Sequence, residues 1–356
     1  MNSQRLDRLN DVMMNLGLGG VLITKRENCI YFSGFNGSNG YLLITPERRV
    51  LITDSRYLIQ AENQTEGFEI IEYKDSLIET LKMQVNSCNF KVLGFENEYM
   101  SCASYNKYSQ SLIGVEFIGL GMVIDELRTI KDEIEIKKIQ RAVSLGDKAF
   151  EHVLGYIKEG VREIEIAAEI EYFLKKNGAT STSFETIVAS GKRGALPHGV
   201  ASEKKLKKGE AITLDFGAVL DDYCSDMTRT VFLGKPEVKV EEVYKIVKKA
   251  QAEASLALFK GMTAKEVDSI ARDIISATKY KDYFSHGLGH GVGLEVHEAP
   301  TISNKKDTIL ENGMVVTIEP GIYVPELGGV RIEDMVVVND KTPNVLTSST
   351  KEMIVL

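Results

Sequence analysis

The chain of 356 residues contains no tryptophan, and it has only four cysteines, five histidines and seven prolines. The cysteines are scattered without a CxxC spacing, so the sequence favours neither a disulfide framework nor a structural zinc site. No apolar run approaches the ~20 residues that span a bilayer. The first 20 residues are amphipathic and lack the unbroken apolar stretch of a signal peptide. We therefore expect a cytoplasmic protein with no membrane partner.

An excess of positive charge is also missing. The chain has 43 Lys and Arg residues against 51 Asp and Glu residues, which gives a net charge of −8. A surface of this kind has no bulk attraction for nucleic acid or anionic lipid. The short basic run at residues 204–208 is typical of a solvated turn before a strand. We therefore expect no nucleic-acid partner.

The length predicts about two domains, because a single hydrophobic core rarely serves more than ~250–300 residues. Helix and strand patterns alternate in the first third, which is typical of an α/β domain. Its predicted helices cover residues 3–16, 76–85 and 102–112, and its predicted strands cover residues 20–24, 29–32, 41–45, 49–53, 91–95 and 114–120. A charge-dense segment at 125–138 then leads into an amphipathic helix. We therefore predict an N-terminal α/β domain at 1–125 and a larger α/β domain at 126–356.

The second domain carries polar residues at unexpected positions in apolar strands. The pattern predicts helices at 162–176 and 240–258, and the pair Thr263 and Glu266 forms a capping box that opens a third helix. In the intervening segment AITLDFGAVLDDYCSDMTRTVFL, Asp215 and Asp226 stand in two successive predicted strands. Asp221-Asp222 supplies a turn signal between them. A hairpin at this turn is expected to bring Asp215 and Asp226 together.

A similar pattern returns in MVVTIEPGIYVPELGGVRIEDMVVV, where Glu319 is predicted in one apolar strand and Glu333 in the next. Gly328-Gly329 is the predicted turn between them, and Arg331 is expected to face the same side as Glu333. TLDFG resembles TIEPG, and SDMTRTV resembles RIEDMVV. These internal similarities indicate a duplication in which each half of the domain contributes one pair of carboxylates to a shared cleft.

Four carboxylates in one cleft repel each other, and burying each ion costs several kcal/mol. Raised pKa values relieve part of this repulsion. Two divalent cations relieve it better, because their charge balances that of the carboxylates. Oxygen-rich ligands with one imidazole suit Mn, Fe, Co or Zn. Two such ions about 3.5–4 Å apart can activate water and polarise a carbonyl.

The imidazole is expected from SHGLGHGVGLEVHE, which holds three of the five histidines: His286, His290 and His297. Its glycines allow the backbone to approach a ligand closely. A phosphate loop is the alternative, but neither the Rossmann nor the Walker spacing is present. Taken singly, each acidic residue or histidine here is more often an edge, turn or packing residue than a ligand. Their recurrence in order within apolar strands favours a metal site.

Together these residues resemble the proline-peptidase family that contains aminopeptidase P and prolidase. The matching segments are LPHG, TLDFGA, SDMTRT, HGLGHGVGLEVHE, TIEPGIY and RIEDM, in the family's order, and they span most of residues 130–356. The N-terminal third resembles the family through YFSGFNGSNGYLLIT and TDSRYLIQA, which look more like aminopeptidase P than prolidase. The resemblance implies an α/β domain of the creatinase/prolidase type followed by a catalytic domain with the pita-bread fold.

The resemblance implies a set of five metal ligands for two divalent ions. Asp226 and Glu333 would bridge both ions, Asp215 would bind one of them, and His290 and Glu319 would bind the other. Mn²⁺ is the expected metal, and Co²⁺, Zn²⁺ and Fe²⁺ are alternatives.

The same resemblance implies catalytic roles for two further histidines. His198 in LPHG and His297 in EVHE would donate hydrogen bonds to the oxyanion that develops on the scissile carbonyl. Glu319 would also shuttle a proton.

Three positions match residues that line the family's proline pocket: His286, Tyr323 and Arg331. The proline nitrogen carries no N–H, so recognition must use a flat apolar pocket for the ring. Val296 is a further candidate for a wall of this pocket.

The expected reaction is hydrolysis of the N-terminal Xaa-Pro bond of proline-containing peptides by an Xaa-Pro aminopeptidase. Prolidase, which is restricted to Xaa-Pro dipeptides, is the first alternative. A non-catalytic binding module and metal-free creatinase are disfavoured because all five ligands are kept, and a methionine aminopeptidase is disfavoured by the additional N-terminal domain. The resemblance further implies a homodimer. Arg56 and the turn at 36–40 are candidates to reach the substrate, although ordinary turn chemistry explains them equally well.

Overall fold

In the computed structural model, residues 2–356 are described, with side chains from residue 4 onwards. They form two units, Met1–Arg128 and Thr129–Leu356. Among the described residues, no helix is long and apolar enough to cross a bilayer.

The N-terminal unit is built on a six-stranded mixed sheet in the order β4-β3-β2-β1-β5-β6. Its strands are β1 (Gly20–Ile23), β2 (Gly40–Ile44), β3 (Arg49–Thr53), β4 (Glu69–Glu72), β5 (Val92–Phe95) and β6 (Glu116–Gly119). Its helices are α1 (Asn2–Leu16), α2 (Arg26–Ser33), α3 (Leu58–Gln64), α4 (Leu77–Cys88), α5 (Cys102–Ser111) and α6 (Val123–Glu126). Strand β1 runs antiparallel to β2 and parallel to β5, and β1 is buried along its whole length.

One predicted strand of this unit is wrong. Residues 29–32 lie in helix α2, which ends where Gly34 adopts a left-handed conformation with φ 80°. All four residues are buried, and a short, continuous apolar run has no periodicity that separates a buried helix from a buried strand. The sequence pattern also gave no prediction for α3 and β4.

The C-terminal unit carries four long helices and several antiparallel strand pairs. The helices are α7 (Glu133–Leu154), α8 (Glu163–Lys176), α9 (Val238–Ala257) and α10 (Ala264–Ser276). The strands are β7 (Ser181–Thr182), β8 (Ile187–Ser190), β9 (Ala211–Phe216), β10 (Ala218–Leu220), β11 (Tyr223–Cys224), β12 (Met227–Phe232), β13 (Gly289–Gly291), β14 (Glu298–Ile302), β15 (Val315–Ile318), β16 (Gly321–Val324), β17 (Gly328–Arg331), β18 (Asp334–Val337) and β19 (Asn344–Val345). The predicted capping box is confirmed, because the Thr263 hydroxyl accepts a hydrogen bond from the Glu266 N–H at the start of α10.

Two hydrophobic clusters cover the two main sheets of this unit. Helices α7 and α8 pack against the sheet β12-β9-β8 through one cluster, which includes Phe150, Ile170 and Leu214. Helices α9 and α10 pack against the sheet β14-β13-β15-β18-β19 through the other, which includes Val247 and Val316. Each half of the unit therefore combines one helix pair with one antiparallel sheet, in keeping with the expected internal duplication.

The two predicted turns of this unit have different outcomes. Asp221 and Asp222 both adopt positive φ, 51° and 70°, between β10 and β11, as a two-residue hairpin turn requires. Gly328 and Gly329, in contrast, lie in β17, and the hairpin β16-β17 turns at residues 325–327. A Cβ atom on Gly329 would lie 2.0 Å from the Gly194 carbonyl oxygen, so this glycine serves close packing instead of a turn.

A buried ion pair joins strand β12 of the first half of this unit to strand β18 of the second half. Arg229 on β12 and Asp334 on β18 are 2% and 0% exposed in their side chains, and Arg229 Nη2 donates to Asp334 Oδ1 at 2.7 Å. Gln251 Nε2 donates to the other oxygen of this carboxylate at 2.9 Å. The arginine also donates to the Glu333 carbonyl oxygen.

Asp334→Asn is expected to lower the free energy of unfolding by about 3–5 kcal/mol, because it leaves the buried Arg229 guanidinium without its counter-charge. Urea unfolding of the metal-free protein measures this loss. Glu326→Gln is the matched control, since it removes the charge from an exposed ion pair with Lys192 that solvent screens. Equal losses in the two variants would contradict the argument.

Candidate metal centre and active site

The predicted site residues of the C-terminal unit lie around one cavity of about 720 Å³. Its lining includes the ten residues that the family resemblance assigns to metal binding, catalysis or the proline pocket: His198, Asp215, Asp226, His286, His290, His297, Glu319, Tyr323, Arg331 and Glu333.

The four carboxylates come together because two antiparallel strand pairs end at the cavity. Asp215 lies near the end of β9, opposite Thr228, and Asp226 lies immediately before β12. Glu319 follows β15 directly, and Glu333 precedes β18 directly, so these two residues, like Asp226, lie at strand ends and not within strands as predicted. In an antiparallel pair the end of one strand lies beside the start of its partner, and each acidic pair is therefore close.

His290 joins this carboxylate cluster from β13, which is the neighbour of β15 in the same sheet. Its Nε2 lies 3.2 Å from Glu319 Oε1 and 3.6 Å from Asp226 Oδ2. Asp226, His290 and Glu333 each offer a ligand atom, and these atoms lie within 4.8 Å of one another. Such separations suit donors around one ion, since metal–ligand bonds of about 2.0–2.2 Å are usual for imidazole and carboxylate.

Three buried oxygens of the cluster have no hydrogen-bond partner among the described residues: Asp215 Oδ1, Asp226 Oδ1 and Glu333 Oε1. Buried polar atoms ordinarily have a hydrogen-bond partner, so each of these unpaired oxygens requires an explanation. Burial raises the pKa values of Asp226 and Glu333 well above the usual range, and the neighbouring carboxylates raise them further. The donor set therefore fits divalent ions that accept both oxygen and imidazole ligands.

The other two carboxylates have cationic partners. Burial raises the pKa of Asp215, and the positive charge of Arg331 limits that rise. Burial also opposes ionisation of Glu319, but the hydrogen bond and charge of His290 outweigh it and lower the pKa of Glu319 to about 2. Asp226 and Glu333 are thus the least compensated pair, and they are the two residues expected to bridge the ions.

Thr228 is a site residue that the sequence analysis did not identify. Its hydroxyl donates to Glu333 Oε2 at 2.8 Å and accepts from Arg331 Nε at 3.0 Å. Arg331 also donates to Asp215 and, at 2.9 Å, to the Tyr323 hydroxyl. The alternation in SDMTRT already placed Thr228 on the same strand face as Asp226, but nothing in the sequence showed which partners it has.

The expected proline pocket is formed in part by His286 and Tyr323. His286 Nε2 lies 2.8 Å from the Tyr323 hydroxyl, and the two rings are 5.5 Å apart. Burial lowers the pKa of His286 and raises that of Tyr323 to about 12, so both side chains are neutral near pH 7. Val296 is absent from the described lining, whereas three apolar residues with no motif to mark them belong to it: Phe184, Ile187 and Val200.

His198 and His297 are exposed residues that border the same cavity. The centres of the His297 and His290 rings are 4.3 Å apart, and the rings pack edge to face with 63° between their planes. Partial desolvation of the ring at the cavity wall and the nearby His290 lower the pKa of His297, which keeps a neutral imidazole N–H as a donor. Arg56, in contrast, belongs to the N-terminal unit, where it forms an ion pair with Asp54. Its contact with substrate, like that of the turn at 36–40, stays a prediction.

Comparison with known proteins places both units in described families. Residues 137–340 match metallopeptidase family M24, and residues 5–130 match the creatinase/prolidase N-terminal domain. The chain is similar to the Xaa-Pro dipeptidase from Bacillus anthracis, with 44% identity, 100% of both chains covered and a TM-score of 0.98. The X-Pro aminopeptidase from Thermotoga maritima MSB8 is 41% identical, with 99% of this chain and 100% of that chain covered and a TM-score of 0.94. An Xaa-Pro dipeptidase of Pyrococcus furiosus is 42% identical over 99% of each chain.

Proposed function

Because this chain belongs to metallopeptidase family M24, we propose that it hydrolyses the Xaa-Pro bond of dipeptides. The predicted family and the predicted fold, a creatinase-type domain followed by a pita-bread domain, are confirmed. The observation that carries the proposal is the likeness over the whole chain to two Xaa-Pro dipeptidases. These relatives support prolidase better than the Xaa-Pro aminopeptidase that the sequence motifs favoured.

Divalent metal ions are implied by the family, and the carboxylate cluster fits them. We propose that five side chains hold two ions: Asp215, Asp226, His290, Glu319 and Glu333. When bound, the ions supply positive charge that activates water and polarises the scissile carbonyl. Mn²⁺ as the resident metal, the homodimer and the cytoplasmic location stay predictions.

The side chains around the ions have separate tasks in this proposal. Glu319 accepts a proton from the attacking water at a carboxylate oxygen and returns it to the leaving nitrogen. His198 and His297 donate hydrogen bonds to the developing oxyanion. The rings of His286 and Tyr323 pack against the proline ring, which supplies shape recognition where an N–H donor is missing.

One observation favours Xaa-Pro aminopeptidase as a second candidate. Arg331 is the only Lys or Arg among the described residues that line the cavity, and each of its three side-chain nitrogens already donates to Asp215, Thr228 or Tyr323. The free carboxylate of a dipeptide would therefore depend on histidine side chains or backbone N–H groups of this lining. A longer peptide requires no such recognition.

Ala-Pro, its amide Ala-Pro-NH₂ and Ala-Pro-Ala separate the two activities. The amide keeps the size of the dipeptide and removes its negative charge. Prolidase activity predicts that kcat/KM for Ala-Pro exceeds the other two values by at least about tenfold, in assays with Mn²⁺, Co²⁺ and Zn²⁺ in parallel. If the amide and the tripeptide are each cleaved at least as efficiently as Ala-Pro, the aminopeptidase activity is established instead. If none of the three peptides is cleaved, both activities are overturned.

A further inference from the structure

A fully buried carboxylate lies at the start of α8. Glu163 is the first residue of this helix and is 0% exposed. It is not among the described residues that line the cavity. A buried carboxylate is costly unless hydrogen bonds and charges compensate it, and the partners of Glu163 therefore indicate what it holds in place.

Among the described residues, the donors to the Glu163 carboxylate all belong to one segment, residues 190–202. Ser190 donates to Oε1 through its N–H at 2.8 Å and through its hydroxyl at 2.7 Å. Ser202 donates to Oε2 through its N–H at 3.2 Å and through its hydroxyl at 2.6 Å. Arg193 forms an ion pair with the same oxygen. The carboxylate therefore ties together the two ends of a loop.

The Arg193 side chain forms additional hydrogen bonds that connect the two sides of the loop. Its Nη2 donates to the Val200 carbonyl oxygen at 2.6 Å, and its Nη1 donates to the Val188 carbonyl oxygen at 3.4 Å. The guanidinium thus joins backbone before and after the tip of the loop while it neutralises Glu163. Charge-assisted hydrogen bonds of this kind are shorter and stronger than those between neutral groups, so they restrain the loop backbone.

The tip of this loop carries His198. Arg331 Nη1 donates to the Pro197 carbonyl oxygen at 3.2 Å, so the residue before His198 is held from the cavity side. Among the described residues, no side chain hydrogen-bonds to the His198 ring. The position of this ring at the cavity therefore depends on the backbone of the loop.

We propose that Glu163 is a positioning residue for His198. It clamps both ends of the 190–202 loop and so sets the distance between the imidazole and the reacting carbonyl. The inference rests on the proposed function, because it assumes that His198 assists hydrolysis. A donor to an oxyanion acts only over a narrow range of distances, and a shift of about 1 Å can cost ~10²-fold in rate.

A double-mutant cycle between Glu163→Gln and His198→Ala tests the proposal. Alone, Glu163→Gln is expected to lower kcat by about 10–100-fold, with KM within about threefold of wild type, because the His286 and Tyr323 rings that are proposed to pack against proline lie outside this loop. In the His198→Ala background, the same substitution is expected to change kcat by less than about twofold. An equal loss in both backgrounds would show that Glu163 acts through general stability and would overturn the proposal.

Two further variants serve as a milder substitution and as a matched control for this experiment. Ser202→Ala removes one hydroxyl donor and preserves the ion pair with Arg193, so it covers the case in which Glu163→Gln fails to fold, and it should show the same dependence on His198. Asp268→Asn is the matched control. Asp268 is equally buried and accepts hydrogen bonds from Arg272 and from the Leu288 N–H beside His286. Its effect should combine additively with His198→Ala.

A readout without turnover separates this inference from the proposed function. The chain has five histidines, so the ring signals of His198 can be assigned by NMR from the His198→Ala spectrum. Glu163→Gln is expected to shift or broaden the His198 signal and to leave that of His152 unchanged. An unchanged His198 signal would overturn the positioning role, whether or not proline peptides are cleaved. If wild type cleaves none of them while the signal shifts, only the proposed function fails.

Discussion

Asp226→Asn is expected to abolish metal-dependent hydrolysis and, at the same time, to stabilise the metal-free protein. The substitution removes a proposed bridging ligand, so kcat/KM should fall by at least about 10³-fold, which corresponds to the several kcal/mol that metal catalysis supplies. Without metal, however, the Asp226 carboxylate is buried beside Glu333 and Asp215, and its pKa is raised by burial and by these neighbours. An uncharged amide removes this repulsion.

The pH dependence of this stability has a definite sign. A carboxyl group whose pKa is raised in the folded state contributes stability below its unfolded pKa of about 3.9, and that contribution is lost as the pH rises toward the folded value. The metal-free wild type should therefore lose stability from about pH 4 upward, and Asp226→Asn should lose less. Divalent metal should reverse the order near pH 7, because only wild type binds both ions.

Urea unfolding between pH 4 and pH 8, with and without a chelator, measures both effects, and elemental analysis gives the metal content. Glu311→Gln serves as the control, because Glu311 is an exposed carboxylate of the same unit. A variant that keeps two bound ions per chain would contradict the assignment of Asp226. So would a metal-free variant that unfolds at lower urea than wild type at pH 7.

The sequence was sufficient to predict each pair of carboxylates because the residues of a pair are close together in the chain. Asp215 and Asp226 flank a two-residue turn, and period-2 alternation places the residues of each strand on defined faces. Electrostatics then requires cations wherever such groups converge. The structure adds that Glu319 and Glu333 lie at strand ends, which a sequence pattern with boundary errors of a few residues does not resolve.

The remaining errors of the sequence-based predictions arise where tertiary packing determines the local structure or the contacts of a residue. Residues 29–32 lie in a helix and are all buried, so their apolar composition is the same as that of a buried strand. Gly329 is a glycine because Gly194 lies against it, across more than 130 positions of sequence. The Thr228–Arg331–Tyr323 contacts likewise join three strands. Such long-range contacts leave no periodic signal in the chain.

The second large effect is expected at His297. His297→Ala should lower kcat by about 10²–10³-fold, the usual loss for one oxyanion donor, with little change in KM. Partial desolvation and the charge of His290 lower the pKa of His297, so the wild-type ring is a neutral donor at pH 7. His297→Gln keeps an N–H donor on a side chain of similar reach and should recover part of the loss.

His152→Ala is the matched control for this experiment, because His152 lies outside the described lining and bonds to Glu169 Oε1 at 2.7 Å. It should leave kcat unchanged. A rise in KM with unchanged kcat in His297→Ala would instead assign His297 to ground-state binding of the substrate. That result would leave His198 as the side chain proposed to donate to the oxyanion in this cavity, and Glu163 would then control the position of that donor.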